Sequence, residues 1–414
     1  MSIRFGFFTT FFPPFHFGGD AIGVERLVRA LARRGHEISV VHDADAFRTL
    51  RGPEPDASYP PTDNIKVITL ESPAPVVANL LTQQTGRNLV HDARIERVIE
   101  QGQFDILWHN NVSLVGGHRL LRKGSALKVY EAHEHWLVCP THVLWRYGRE
   151  LCDAQRCVSC QISYRRPPQL WRDSADFNRS LDAVDLFIAK SRFSKEKHAE
   201  FGFSRDMQVI PYFLPDAASV APDERPQERP FFLFVGRLEK IKGLHDVIPR
   251  FAGDGPADLV IIGAGDYEQE LKALGANYPR VRFLGRKAPH ELAQWYAQAQ
   301  ALIVPSICFE TFGIIIIEAF RQGTPVIARR LGPFPEIIES CGGGMLFSDL
   351  AELDAALARI ADDAALRQAM SDKARAGFAR NWTEDIVIEQ YFDALARAAH
   401  KRGDLALARK LEAA

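Results

Sequence analysis

Residues 231–252 read FFLFVGRLEKIKGLHDVIPRFA. Five apolar residues stopped by Gly236 have the length and composition of a strand buried on both faces. Lys242-Gly243 opens the helical stretch that follows, so the segment reads as strand, short loop and helix. Arg237 and Lys242 stand in that loop as Gly-Arg-x₄-Lys-Gly, two fixed cations just past the strand's C-terminal end. Ligands gather at such ends in doubly wound sheets. Solvated charges flanking a turn would look the same in isolation, so the surrounding chain has to decide.

Working outward, apolar strand patterns alternate with helical ones along the whole chain. In the first half they fall near 3–8, 37–42, 65–70, 105–110, 127–132, 185–190 and 207–212. In the second half they fall near 231–236, 258–263, 281–285, 301–305, 325–328 and 344–347. Strands regularly separated by helices predict an α/β fold with parallel sheets covered on both faces. The chain has 414 residues, too many for one ordinary core, which predicts two domains. The segment Pro211–Pro230 carries five prolines among charges and reads as the linker. The expected division is 1–213, a Rossmann-like domain with a Cys-rich insertion at 135–168, then 214–385, a second Rossmann-like domain, then 386–414, a helical segment packing back across the hinge. Two such domains would leave a cleft between the C-terminal edges of their sheets. The proline-bearing stretch 52–61 reads as an exposed loop.

Composition narrows the class. With 46% hydrophobic and 25% charged residues the chain reads as globular. A formal net charge of -1 gives no global basic field for nucleic acid. Phe5 to Phe12 is too short for a secretory h-region and is stopped by Pro13-Pro14. No run of 18 apolar residues exists, so a cytoplasmic location is expected, peripheral to a membrane at most.

Two glutamates eight apart, Glu310 and Glu318 in ETFGIIIIEA, supply carboxylates where hydroxyls would need them. The spacing predicts one just before a helix N-terminus and the other about two turns inside, bordering one cleft. Glu310 could equally be a favourable charge at a helix start. Glu318 follows four isoleucines and precedes Ala319-Phe320, an apolar setting in which a carboxylate needs a partner or a ligand. Cations for a diphosphate and carboxylates for hydroxyls make up a nucleotide-sugar site. Gly18-Gly19, between the first strand and first helix, would let a ligand approach the backbone, although the full G-x-G-x-x-G fingerprint of a dinucleotide site is missing.

With these elements in this order, the chain resembles the retaining GT-B glycosyltransferases of family 4. The resemblance runs from PPFHFGGDAIGVERLVRALARRGHEISVV through YEAHEHWLVCP, FVGRLEKIKG, VRFLGR and VPSICFETFGIIIIEAFRQGTPVIA to GPFPEII. It implies that Arg237 and Lys242 bind the donor diphosphate, that Glu318 holds the ribose and that Glu310 holds the transferred sugar. Backbone amides at Phe312, Gly313 and Ile314 would touch sugar or phosphate, and the turn ending in Arg286 would meet the base. Gly19 would cover the diphosphate or the acceptor side. His133, at the end of KVYEAHE, would sit at the reacting centre. It could instead be an ordinary loop histidine or a metal ligand beside the cysteines that follow.

Cys139, Cys152, Cys157 and Cys160 form C-x₁₂-C-x₄-C-x₂-C. Four thiolates at this spacing suit a closed, structural zinc site; unliganded reduced thiols or adventitious disulfides are the alternative. The stretch 145–172 interleaves arginines with Trp145, Tyr147, Tyr164 and Trp171, as a contact with anionic lipid or phosphorylated acceptor would, or as an ordinary solvated loop would. Arg237 and Lys242 would supply the positive charge at the diphosphate, so no catalytic metal is expected. The expected activity is transfer of a sugar from a nucleoside diphosphate, UDP before GDP-mannose, to a glycan, lipid-linked or small-molecule hydroxyl. A GT-B nucleotide-sugar epimerase and a non-catalytic carbohydrate-binding relative are the rivals.

Overall fold

The computed structural model describes residues 2–50, 55, 59–60, 62–215 and 227–414. Pro222 and Pro226 of the expected linker, and most of the 52–61 loop, lie outside the described residues. The chain divides into two compact units, Met1–Pro211 with Val387–Ala414, and Tyr212–Ile386.

The first unit is built on seven parallel strands. They are β1 (Arg4–Phe8), β2 (Glu37–Asp43), β3 (Ile65–Leu70), β4 (Ile106–His109), β5 (Leu127–Ala132), β8 (Leu186–Ala189) and β9 (Met207–Val209). A two-stranded hairpin, β6 (Trp145–Arg146) and β7 (Glu150–Leu151), interrupts the series inside the Cys-rich insertion. The sheet order is β3-β2-β1-β4-β5-β8-β9. The chain therefore winds outward from β1 on one side, then returns to place β4 on its other side. Phe5, Phe7 and Trp108 pack on one another across β1 and β4, which joins the two halves of the sheet through aromatic area.

The second unit repeats the plan with six parallel strands, β10 (Phe231–Val235), β11 (Asp258–Ile262), β12 (Val281–Phe283), β13 (Ala301–Val304), β14 (Val326–Arg329) and β15 (Gly344–Phe347). Their order is β12-β11-β10-β13-β14-β15. β10, β11 and β13 are buried along their whole length, because alternate side chains feed two separate cores. Leu233, Ile262, Ile316 and Phe320 lie in one core, and Phe232, Phe234, Ile261 and Ile303 in the other. A strand buried on both faces has no room for alternation, hence the continuous apolar runs.

The last 65 residues are helical, as Leu350–Asp362, Ala364–Asn381, Glu384–Arg402 and Leu405–Glu412. From Val387 onward they belong to the first unit. There Arg402 donates to the Ala126 carbonyl at 2.7 Å and Asp185 at 2.8 Å, and Lys410 pairs with Asp105 at 3.2 Å. Among the described residues no helix is long and apolar enough to cross a membrane.

Candidate functional site

In each sheet the winding reverses between two neighbouring strands, and the loops beyond their C-terminal ends diverge there and leave a crevice. In the second unit those strands are β10 and β13. β10 runs into Gly236 and Arg237, and β13 into Pro305, Ser306 and, a few residues on, Glu310. Two close approaches set this corner. A Cβ on Gly243, at φ +70°, would lie 2.1 Å from the Pro305 carbonyl oxygen, and one on Gly263, at φ +153°, 1.8 Å from that of Gly236. Only glycine permits both the backbone angle and the contact.

This packing brings Lys242 against Glu310. Its ammonium lies 2.5 Å from Glu310 Oε1, and Ser306 Oγ donates to the same oxygen at 3.1 Å. Burial alone would lower the Lys242 pKa, but Glu310 outweighs it and lifts the ammonium above its ordinary value. Burial would likewise raise the Glu310 carboxyl. The charge of Lys242, with the hydrogen bonds from Lys242 and Ser306, holds it below the ordinary carboxylate range. Both side chains keep a fifth to a quarter of their surface in solvent. Arg237 is half exposed, paired with Glu239 at 2.7 Å, and near enough to act electrostatically on Lys242 and Glu310. The corner therefore holds two cations with acidic partners that a diphosphate could replace.

Glu318 sits on the helix Ile314–Gln322, where its Oε2 accepts from the Tyr296 hydroxyl at 3.1 Å. It lies one turn inside that helix and not two. Gly313, at φ +144°, is not helical, so the residues from Glu310 to Gly313 form an irregular approach to which the 100° step does not apply. Phe312 is buried against Tyr212, and Gly313 caps the helix with Phe334 beside it. Ile314 opens the helix, leaving its amide among those without an intrahelical acceptor. Arg286 is exposed beyond β12, and the preceding Gly285 carbonyl accepts from Gly263 N at 2.9 Å, which ties this turn to the same strand ends.

In the first unit, Gly19 opens the helix Gly19–Arg33, with Gly18 extended before it. His133 directly follows β5 and is buried. Its Nε2 lies 3.2 Å from Glu131 Oε2 and 2.9 Å from Asn110 Nδ2. Glu131 is the node of this cluster. Its Oε2 also accepts from Trp108 Nε1 at 3.0 Å and Asn110 Nδ2 at 3.1 Å, while Oε1 takes Lys190 Nζ at 2.7 Å and the Tyr391 hydroxyl. Burial pushes the Glu131 carboxyl up, yet Lys190 and His133 hold it well below the usual carboxylate range. Burial is also the larger influence on Lys190 and lowers it despite Glu131.

Asn110, Glu131, Lys190, Tyr391, Ser306 and Tyr296 were not expected from the sequence. A signal existed for two of them. Glu131 and Lys190 are the charges in the otherwise apolar stretches VYEA and LFIAK, and buried charges require partners.

Cys139, Cys152, Cys157 and Cys160 are free thiols lining one cavity of about 20 Å³, room for roughly one water-sized species. Cys160 Sγ accepts from the Tyr147 amide at 3.5 Å. The thiols share the cavity without being drawn together as a ligand set: among the described residues no three His, Cys, Asp or Glu side chains stand so as to hold a metal ion. The arginines of the 145–172 loop divide. Arg146 pairs with Glu150 and Asp153, and Arg172 packs on Trp136 and Trp171. Trp145 is buried.

Two family models match this chain in tandem, Glycosyltransferase Family 4 over residues 17–215 and Glycosyl transferases group 1 over residues 218–377. A D-inositol 3-phosphate glycosyltransferase of Corynebacterium kroppenstedtii is 27% identical over 256 residues, 54% of this chain but only 56% of that protein's length. Among solved structures, the sucrose-phosphate synthase from Thermosynechococcus elongatus superposes with a TM-score of 0.71 at 19% identity, covering 97% of this chain and 99% of that one. Anabaena Alr3699/HepE in complex with UDP superposes at 0.65 and 18% identity, covering 95% and 100%. These likenesses establish the two-sheet GT-B architecture.

Proposed function

The chain belongs to the GT-B glycosyltransferases of family 4, and from that premise we propose that it moves a sugar from a nucleoside diphosphate to an acceptor hydroxyl with retention of configuration. The observation that carries this reading is the corner where Lys242, Glu310 and Arg237 meet, with Glu318 one helical turn beyond. The donor diphosphate lies along Arg237 and Lys242, exchanging their carboxylate partners for phosphate oxygens. Glu310, released from Lys242, accepts from hydroxyls of the transferred sugar, and Glu318 accepts from the ribose. UDP is the favoured carrier, in keeping with the UDP bound by the Anabaena relative, and GDP-mannose is next.

The bond from the anomeric carbon to the β-phosphate oxygen breaks as the acceptor oxygen bonds to the same face. The acceptor's proton passes to the departing phosphate oxygen, so no enzyme nucleophile is required. Preorganised cations at that oxygen stabilise charge where it develops. His133 is assigned to the reacting centre, with Glu131 and Asn110 fixing its ring. The test is to offer UDP- and GDP-sugars and measure nucleoside diphosphate release. Release that requires Lys242 supports the reading. A changed nucleotide sugar formed without acceptor would indicate an epimerase instead, and no turnover with any donor would remove the assignment.

A further inference from the structure

The helix Pro75–Thr85, PVVANLLTQQT, is built the wrong way round for a surface helix. Such helices turn apolar residues to the core and polar ones to water. Here Ala78, Asn79 and Thr82 are buried, with Asn79 Nδ2 donating to Thr49 Oγ1 at 2.8 Å. Val76, Val77, Leu80 and Leu81 face outward, Val76 at 62% exposure. Those four positions are spaced i, i+1, i+4 and i+5, which places them on one helical face. The helix contains no charged residue.

A second segment continues the surface. Gln84 Nε2 donates to the Pro167 carbonyl and Trp171 Nε1 to the Gln83 carbonyl at 2.8 Å, so residues 167–171 lie against the end of this helix. Ile162 and Leu170 are exposed there, Leu170 at 76%. Of the thirteen large apolar side chains exposed among the described residues, six fall at 76–90 and three at 158–170, so the apolar surface is concentrated and not scattered. Patches of this kind mark interaction sites.

Charge selects the occupant. Arg165 and Arg166 adjoin Ile162, since Arg165 N donates to the Ile162 carbonyl and Arg166 N to that of Gln161. Both, like Arg156, are exposed. No acidic side chain pairs with any of the three among the described residues, whereas Arg146 in the same loop has two such partners. Apolar side chains rimmed by uncompensated arginines match a bilayer whose surface is anionic. We propose that this face of the first unit, the outward side of Pro75–Thr85 together with 162–170, docks on an anionic membrane surface. Val76, Val77, Leu80 and Leu81 enter the acyl boundary while Arg165 and Arg166 meet headgroup phosphates. The proposal is independent of the donor assignment, which rests on the second unit.

The test is co-sedimentation of the full chain with phosphatidylcholine vesicles, with and without phosphatidylglycerol. Binding is expected only with the anionic lipid, weakening as salt screens the headgroups. Arg165→Gln/Arg166→Gln should reduce partitioning by about 30-fold, from two lost surface charges. Val77→Ser/Leu81→Ser should also reduce it by at least about tenfold. All four positions are exposed, so both variants should fold, and unchanged circular dichroism and nucleoside diphosphate binding will verify it. Equal binding to neutral vesicles, none to anionic ones, or full binding by both variants would overturn the proposal. So would a concentration-dependent dimer abolished by Val77→Ser/Leu81→Ser, which would assign the face to a second copy of this chain.

Discussion

Each unit carries a lysine–glutamate pair beyond the C-terminal ends of its strands or among them, and the two pairs differ in access. Lys190–Glu131 in the first unit is sealed, with both side chains 1% exposed, and Glu131 accepts hydrogen bonds from Trp108, Asn110, Lys190 and Tyr391. Lys242–Glu310 in the second unit keeps a fifth to a quarter of its surface in water and sits at the reversal point of the sheet. A sealed pair cannot exchange its partner for a ligand; its charges hold each other and, through Glu131, the ring of His133. An open pair can part for a diphosphate and close again. The same ion pair is sealed scaffold in one place and, on the proposed function, an exchangeable partner for a diphosphate in the other, with burial as the difference.

The largest effect should come from breaking the sealed pair. Glu131→Ala leaves Lys190 buried without a counter-charge, which typically costs about 3–5 kcal/mol, read by chemical denaturation. Acid should reach the same pair. The folded Glu131 carboxyl titrates well below its ordinary value of 4.5, so its contribution is full above that pH and is lost as pH falls through the lower folded value. Glu131→Gln should flatten that acid limb, and an unchanged limb would remove Glu131 from the role.

Breaking the open pair should leave stability nearly intact and cost turnover instead. For Lys242→Ala we expect kcat to fall by roughly 100- to 1000-fold, with a stability change within about 1 kcal/mol. Steady-state kinetics and denaturation on one preparation would separate the two; near-normal kcat would sink the assignment.

Legibility in the sequence divides along the same line. Strands such as β8, β10 and β13 could be read because each is a continuous apolar run between polar loops. The hairpin Trp145–Arg146 with Glu150–Leu151 could not, since two-residue strands carry no periodicity. Arg237, Lys242, Glu310 and Glu318 were legible as residue types at a spacing. The irregular stretch before Ile314 was not, because it depends on Gly313 leaving the helical region. The Glu131 cluster was hidden by distance along the chain, its partners lying 59 residues away at Lys190 and 260 at Tyr391.

The cysteines should touch this comparison least. A tetrathiolate zinc would require the four thiols to draw closer than they stand here; about one zinc per chain by elemental analysis would support that site, and four freely titratable thiols without metal would contradict it. Cys157→Ser, in the other unit from Lys242, should leave nucleoside diphosphate affinity unchanged.

The central claim, that the open corner of the second unit is a nucleoside diphosphate site, is tested most directly by calorimetric titration of UDP into the wild-type chain and Glu318→Gln. Saturable binding is predicted, weakened in the variant by about 1.5–3 kcal/mol for the lost charged acceptor to the ribose. Equal affinity in both proteins, or no binding of UDP or GDP to the wild type, would contradict it.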